Sequence, residues 1–153
     1  MLLLVACSSA PRVAEEPGAG GLTIARTAAR AVGVPYHFGG ADLQGFDCSG
    51  LAVYAYESAG VEIPRTAAAQ QRAARPVSSN ALSPGDLVFF RIRSRHVNHV
   101  GIYAGSGRFI HAPRSGEAVS YGNLRDPYYH KHFAGAGRLW SGDARATYVP
   151  SAH

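Results

Sequence analysis

The sequence predicts an α+β domain, and three features carry that expectation. Apolar residues recur at helical spacing through the first half of the chain. Short strand-like runs, parted by turn residues, occupy the second half. The change of character falls at Ser83-Pro84-Gly85-Asp86, so helices come first and a meander of strands follows. With 153 residues, 46% of them hydrophobic and 16% charged, the chain is long enough to close one compact core.

The N-terminus reads differently from the rest. Met1 to Ala6 is apolar and Cys7-Ser8-Ser9 follows, so Leu4-Val5-Ala6-Cys7 resembles the lipobox of bacterial lipoproteins, with Cys7 as the lipidated residue. The stretch before Cys7 is shorter than the ~7–15 residues of a signal h-region and carries no basic residue, so residues 1–6 read as the remnant of a longer signal with an earlier start. Ser8, where an aspartate would mark inner-membrane retention, favours the periplasmic side of the outer membrane. Residues 7–22, rich in Ser, Pro, Glu and Gly, read as a lipidated tether. A Cys7–Cys48 disulfide is the competing reading.

The folded part is expected to span 23–140, with 141–153 a loose tail. Ile24, Ala28, Ala31 and Val32 lie on one helical face over residues 22–32, which Gly33 and Pro35 end. A second helix is expected over 48–59, with Asp47 as N-cap, Gly60 as stop and a stripe of Cys48, Leu51, Ala52, Ala55 and Ala59. A short third helix follows Pro64, over 66–74. Strands are expected at 87–92, 97–103, 108–112, 118–121 and 135–140.

Composition excludes some functions. No apolar run approaches the ~20 residues that span a bilayer. Net charge is +5, and the basic residues are scattered arginines apart from Arg91, Arg93 and Arg95. That pattern suits an anionic partner such as a cell-wall polymer or acidic lipid. It gives no nucleic-acid footprint, and the Arg91–Arg95 stretch reads as the wet face of a strand or a hairpin tip.

With Cys7 lipidated, Cys48 is a lone thiol at a helix start. A helix N-terminus favours the thiolate and aims free N–H groups at a developing oxyanion. Asp47 is expected to cap the helix, since its charge would oppose a thiolate if aimed at the sulfur. The base should be a histidine held in one tautomer by a second group. His99 and His111 both fall on strands of a probable hairpin. An odd hairpin loop would put His99 directly opposite His111 on one face; an even loop would put them on opposite faces. The odd register is the expectation. His37 reads as a solvated loop residue, although it could line a cleft, and His96, His130, His132 and His153 read as exposed. His96-x-x-His99 lacks the partners for a metal site, and no cofactor is implied.

These residues fall into a recognisable series. Pro35-Tyr36-His37-Phe38-Gly39-Gly40, Phe46-Asp47-Cys48-Ser49-Gly50-Leu51, Ile63-Pro64-Arg65-Thr66 with Gln70, Leu82 to Phe90, Asn98 to Tyr103 and Phe109 to Pro113 occur in that order. The set resembles the NlpC family of bacterial cell-wall cysteine peptidases, a papain-like group, over nearly the whole folded part. The resemblance implies a papain-like fold in which N-terminal helices pack on a mostly antiparallel sheet. It implies Cys48 as nucleophile, His99 as base and His111 as its orienting residue. It also implies that Tyr36 assists at the oxyanion or substrate, that Ser49 contacts substrate, and that Arg65 meets a substrate carboxylate or braces the fold. The substrate class implied is the peptide stem or crosslink of peptidoglycan, cut by a monomeric enzyme most like the murein endopeptidase lipoproteins of Gram-negative envelopes. Phe38 stands where tryptophan is common and Ala67 where serine is usual; both are expected to trim the cleft. An idle murein-binding module and a lipid-handling acyltransferase are the alternatives.

Overall fold

The computed structural model describes residues 19–140. Cys7, the lipobox, most of the tether, the tail and His153 lie outside them. The element order is α1 (Ala19–Arg30), β1 (Ala41–Asp42), β2 (Gly45–Phe46), α2 (Cys48–Glu57), α3 (Ala67–Ala73), β3 (Arg75–Val77), β4 (Leu87–Phe90), β5 (His99–Gly105), β6 (Arg108–His111), β7 (Ser120–Asn123), α4 (Pro127–His132) and β8 (Phe133–Arg138). This is the expected α+β arrangement. Six strands form one antiparallel sheet in the order β3-β8-β4-β5-β6-β7, and β1 pairs with β2 in a separate hairpin.

The core follows from the alternation of side chains along the strands. Leu87, Phe89, Val100, Ile102 and Ile110 point to the face covered by α1 and α2, where they meet Ile24, Ala28, Leu51, Ala52 and Ala55. Val88, Phe90, Phe109 and Ala136 point to the other face and form a smaller cluster with Tyr129 and Phe133. All four residues of β4 are buried, because both faces of this strand are covered. Each fully buried aromatic or aliphatic side chain contributes roughly 1.5–3 kcal/mol.

Several expectations need correction. Helix α1 begins at Ala19 rather than Leu22, so the tether ends sooner than expected. Gly21 packs so closely that a Cβ there would come within 2.6 Å of the Trp140 ring, and this contact draws the helix back through residues of poor helix propensity. The β1–β2 hairpin, the edge strand β3 and helix α4 were not expected. β3 contains Pro76, which an edge strand tolerates. His132 is half-buried rather than exposed: its Nδ1 pairs with the Arg91 carbonyl at 2.9 Å, and its own carbonyl accepts from the Arg91 N–H. Arg91, Arg93 and Arg95 are exposed, as expected, on the loop between β4 and β5.

The β5–β6 hairpin also differs in detail. Tyr103 pairs with Phe109 and Ile102 with Ile110, with a bulge before the Gly105–Arg108 pair. The turn residues Ser106 and Gly107 both have positive φ, 54° and 75°, as a tight two-residue hairpin requires. Continued along the strands, this register sets Gly101 across from His111, with His99 two pairs further on. The two histidines share a face, as the odd register demands, but they are diagonal neighbours rather than directly opposed. The bulge at Ala104 supplies the parity that loop length alone did not.

Candidate active site

The site is built at the end of the sheet where β5 begins. Asp47 ends the extended loop and caps α2, its Oδ1 accepting from the Gly50 N–H at 2.7 Å. That cap fixes Cys48 as the first helical residue. The Cys48 thiol donates to the Asn98 carbonyl at 3.9 Å, and the Val100 N–H also reaches the sulfur. The sulfur therefore lies against the backbone on both sides of His99.

The imidazoles come from the first residue of β5 and the last residue of β6. His99 Nε2 lies 2.8 Å from His111 Nδ1, and both rings are almost fully enclosed, at 6% and 3% residual exposure. Their position is set by aromatic packing: Phe90 lies 5.9 Å from the His99 ring, and Phe109 and Tyr129 lie 4.9 and 5.4 Å from the His111 ring. Gly101 matters here. A Cβ on it would come within 2.6 Å of the Phe109 ring, so only a bare backbone lets that ring settle beneath the histidine pair.

The electrostatics define the resting protonation. Burial drives His99 down to about 3, helped by the charge His111 would carry, and burial drives His111 down to about 4. Both are neutral at physiological pH. Burial also pushes the Cys48 thiol up. The N–H groups of Val100, Ser49 and Cys48 oppose that shift, and the Asp47 charge adds to it. This corrects the expectation of a thiolate at the helix start, because desolvation outweighs the helix terminus. The resting pair is thiol and neutral imidazole.

Around this centre the other candidates separate. Tyr36 is near enough to Cys48, Asp47 and Arg65 to feel any charge they carry; burial first, then a Cys48 thiolate whenever it forms and the Asp47 carboxylate, raise its phenol, which stays protonated. Arg65 grips Asp47 through two bonds of 2.9 and 2.8 Å and donates to the Ser49 hydroxyl at 2.8 Å. Burial would raise the Asp47 carboxyl, but the Arg65 bonds and the Gly50 and Gly39 N–H groups hold it below its usual range. Arg65 thus braces the loop. Ser49 is buried within that brace rather than turned to a substrate. Ala67 is likewise buried in the helix-side core and does not shape the cleft. Phe38 is 86% exposed on the turn before Asp47, and His37 beside it is exposed too.

Two parts of the site escaped the sequence reading. A cleft of about 510 Å³ opens beside His99 and His111, with Arg93, Asp126, Tyr128 and Tyr129 in its walls. Its far side is made by α4, whose Asp126-Pro127 start is a cap followed by proline at the first helical position, a signal present in the sequence. Asn98 is the second. Its side chain accepts from the Ile92 N–H at 2.8 Å and donates to the Ile92 carbonyl at 2.9 Å, tying the β4–β5 loop to the residue that touches the sulfur.

A capped thiol, a buried histidine pair and this order of helices and strands define one class: the NlpC/P60 family matches residues 33–138, and the chain belongs to it. Among individual relatives, it is 43% identical over 113 residues to the murein DD-endopeptidase MepH of Escherichia coli (strain K12), a match covering 71% of this chain and 42% of that protein. It is 44% identical over 113 residues to the probable endopeptidase YafL of the same organism, covering 71% of this chain and 45% of that one. The chain thus spans less than half the length of these curated relatives. Among solved structures, an NlpC/P60 family protein from Bacillus cereus ATCC 10987 superposes with a TM-score of 0.73 at 36% identity, covering 77% of this chain and 39% of that one. The NlpC/p60 domain of the peptidoglycan hydrolase SagA does so with a TM-score of 0.68 at 33% identity, covering 78% of this chain and 98% of that one.

Proposed function

We propose that this protein is a cysteine-dependent peptidoglycan hydrolase, an endopeptidase that cuts an amide bond in murein stem peptides or their crosslinks. The observation that carries the reading is the contact between His99 Nε2 and His111 Nδ1 at 2.8 Å, made where the Cys48 sulfur rests on the backbone flanking His99. The endopeptidase and peptidoglycan-hydrolase names of its relatives agree with it.

The mechanism follows from the resting state. With its Nε2–H donated to His111, His99 keeps Nδ1 free as a base. It removes the thiol proton as the sulfur attacks the amide carbonyl, so charge separation is confined to the reacting step. The N–H groups of Cys48 and Ser49, aimed at the sulfur and first in α2, are placed to receive the oxyanion, with the Tyr36 hydroxyl close by. His99 returns the proton to the leaving amine as the carbon–nitrogen bond breaks. Water then attacks the thioester, His99 accepts its proton, and the free acid and thiol are regenerated. Arg65, Asp47 and Ser49 hold the helix start in place. In this reading Cys7 supplies a lipid anchor on the periplasmic side of the outer membrane.

Digestion of purified sacculi tests the proposal. Wild-type protein should release fragments whose masses identify the bond cut, while Cys48→Ala, still folded, should release none. Equal release by both proteins would refute it.

A further inference from the structure

We infer that the cleft beside His99 and His111 binds the half of the substrate that carries the leaving amine, and that Arg93 selects a carboxylate next to the scissile nitrogen. The inference rests on the hydrolase reading above and assigns it a specificity residue.

The first argument is chemical. The residue that protonates the leaving nitrogen must reach it, so the amine half of the substrate lies on the imidazole side of the thiol. The cleft is lined by both imidazoles and not by Cys48, which gives it to that half.

The second argument is charge. The cleft wall holds two cations and two anions, and three of the four are already engaged. Arg114 binds Glu117 at 2.8 Å, and Asp126 accepts from the Tyr128 N–H at 2.9 Å as the cap of α4. Arg93 has no ion-pair partner among the described residues. A guanidinium is a planar fork of donors that matches a carboxylate with two parallel bonds.

The third argument is preorganisation. Arg93 has a φ of 50°, a left-handed conformation that a bulky residue adopts only when its surroundings impose it. Those surroundings are explicit. His132 at the end of α4 brackets the backbone of Arg91, and the Asn98 side chain brackets that of Ile92. Asn98 is also the residue whose carbonyl meets the Cys48 thiol. The guanidinium is therefore carried on a loop whose base is fixed to the nucleophile on one side and to the far wall of the cleft on the other. Tyr128 and Tyr129 close that wall with apolar surface for the substrate's carbon chain.

Two crosslinked stem peptides test this, alike except that the carboxyl beside the scissile nitrogen is free in one and a carboxamide in the other. The wild type should favour the free acid in kcat/KM by about tenfold, the scale of a charge-assisted pair at a partly exposed site. Arg93→Gln should slow the acid alone and abolish the preference, Arg93→Lys should keep part of it, and Arg95→Gln, on the same exposed loop but outside the cleft, should keep all of it. A wild type with no preference, or an Arg93→Gln protein that slows both peptides equally or retains the preference, overturns the inference. A binding measurement separates it from the hydrolase reading. On Cys48→Ala, the amine-side fragment as free acid should bind about tenfold more tightly than its carboxamide, by NMR titration, and lose that advantage when Arg93→Gln is added. If neither peptide is cleaved yet this binding difference holds, the cleft assignment stands and the hydrolase reading fails. If both are cleaved alike and the fragments bind alike, the reverse is true.

Discussion

Acidification from about pH 8 to about pH 5 should remove about 4 kcal/mol of folding stability through two side chains alone. Burial holds His99 at about 3 and His111 at about 4 in the folded protein, whereas an unfolded histidine titrates near 6.5. Above that value both states are neutral and there is no penalty. Below it the unfolded chain takes up two protons that the folded chain refuses, so stability falls as the pH drops toward the folded values. At about pH 5 each histidine is roughly 1.5 units below its unfolded value, which at about 1.36 kcal/mol per unit gives about 2 kcal/mol each. Because that pH lies above both folded values, the sum does not depend on how the pair divides its last proton. Asp47, held low in the fold, loses its contribution only at more acid pH, outside this window. Urea unfolding at the two pH values measures the effect. Wild type should lose about 4 kcal/mol and His111→Gln, with one histidine left, about 2 kcal/mol. An equal loss in both proteins, or ring resonances that titrate near 6.5 in the folded state, would refute the reasoning.

Other outcomes follow from the same geometry. Alkylation of Cys48 by iodoacetamide should be slow at neutral pH and rise steadily toward alkaline pH, because burial raises the thiol; a fast plateau extending into acid would reveal a resting ion pair instead. Gly101→Ala should lower kcat by at least tenfold while the protein stays folded, since a methyl there displaces the Phe109 ring that supports His111; unchanged turnover contradicts that support. Arg138→Gln should cost about 3 kcal/mol in urea unfolding, because it strips Asp86, fully buried, of bonds at 2.7 and 2.9 Å. A loss below about 1 kcal/mol would mean that the carboxylate finds another partner.

What the sequence disclosed and what it hid divide along physical lines. Helix α2 was readable because its signals are local: Asp47 caps it, Gly60 follows it, and the apolar stripe lies between. The same holds for the buried strand β4, whereas the shared face of His99 and His111 belonged to one of two registers open to the hairpin and rests on the bulge at Ala104. The diagonal offset of the two rings was not readable, because it depends on the bulge at Ala104, which no loop length specifies. The state of the thiol was hidden for a similar reason. A helix terminus is visible in sequence, but the burial that outweighs it exists only once the chain is folded, with Asn98, fifty residues further on, against the sulfur. Ser49 looked like a substrate contact by adjacency to Cys48, and only the fold shows that Arg65 and Asp47 have claimed its hydroxyl. Helix α4 left a signal in Asp126-Pro127, overlooked because six residues carry too little periodicity to support it.

The covalent step is tested most directly by partitioning. In the presence of hydroxylamine, a thioester on Cys48 should be captured, so the carbonyl-side fragment appears as hydroxamate in proportion to the added nucleophile, without any loss in total cleavage. Release of the free acid alone at every hydroxylamine concentration, with cleavage undiminished, would mean that water attacks the amide directly and that Cys48 forms no acyl intermediate.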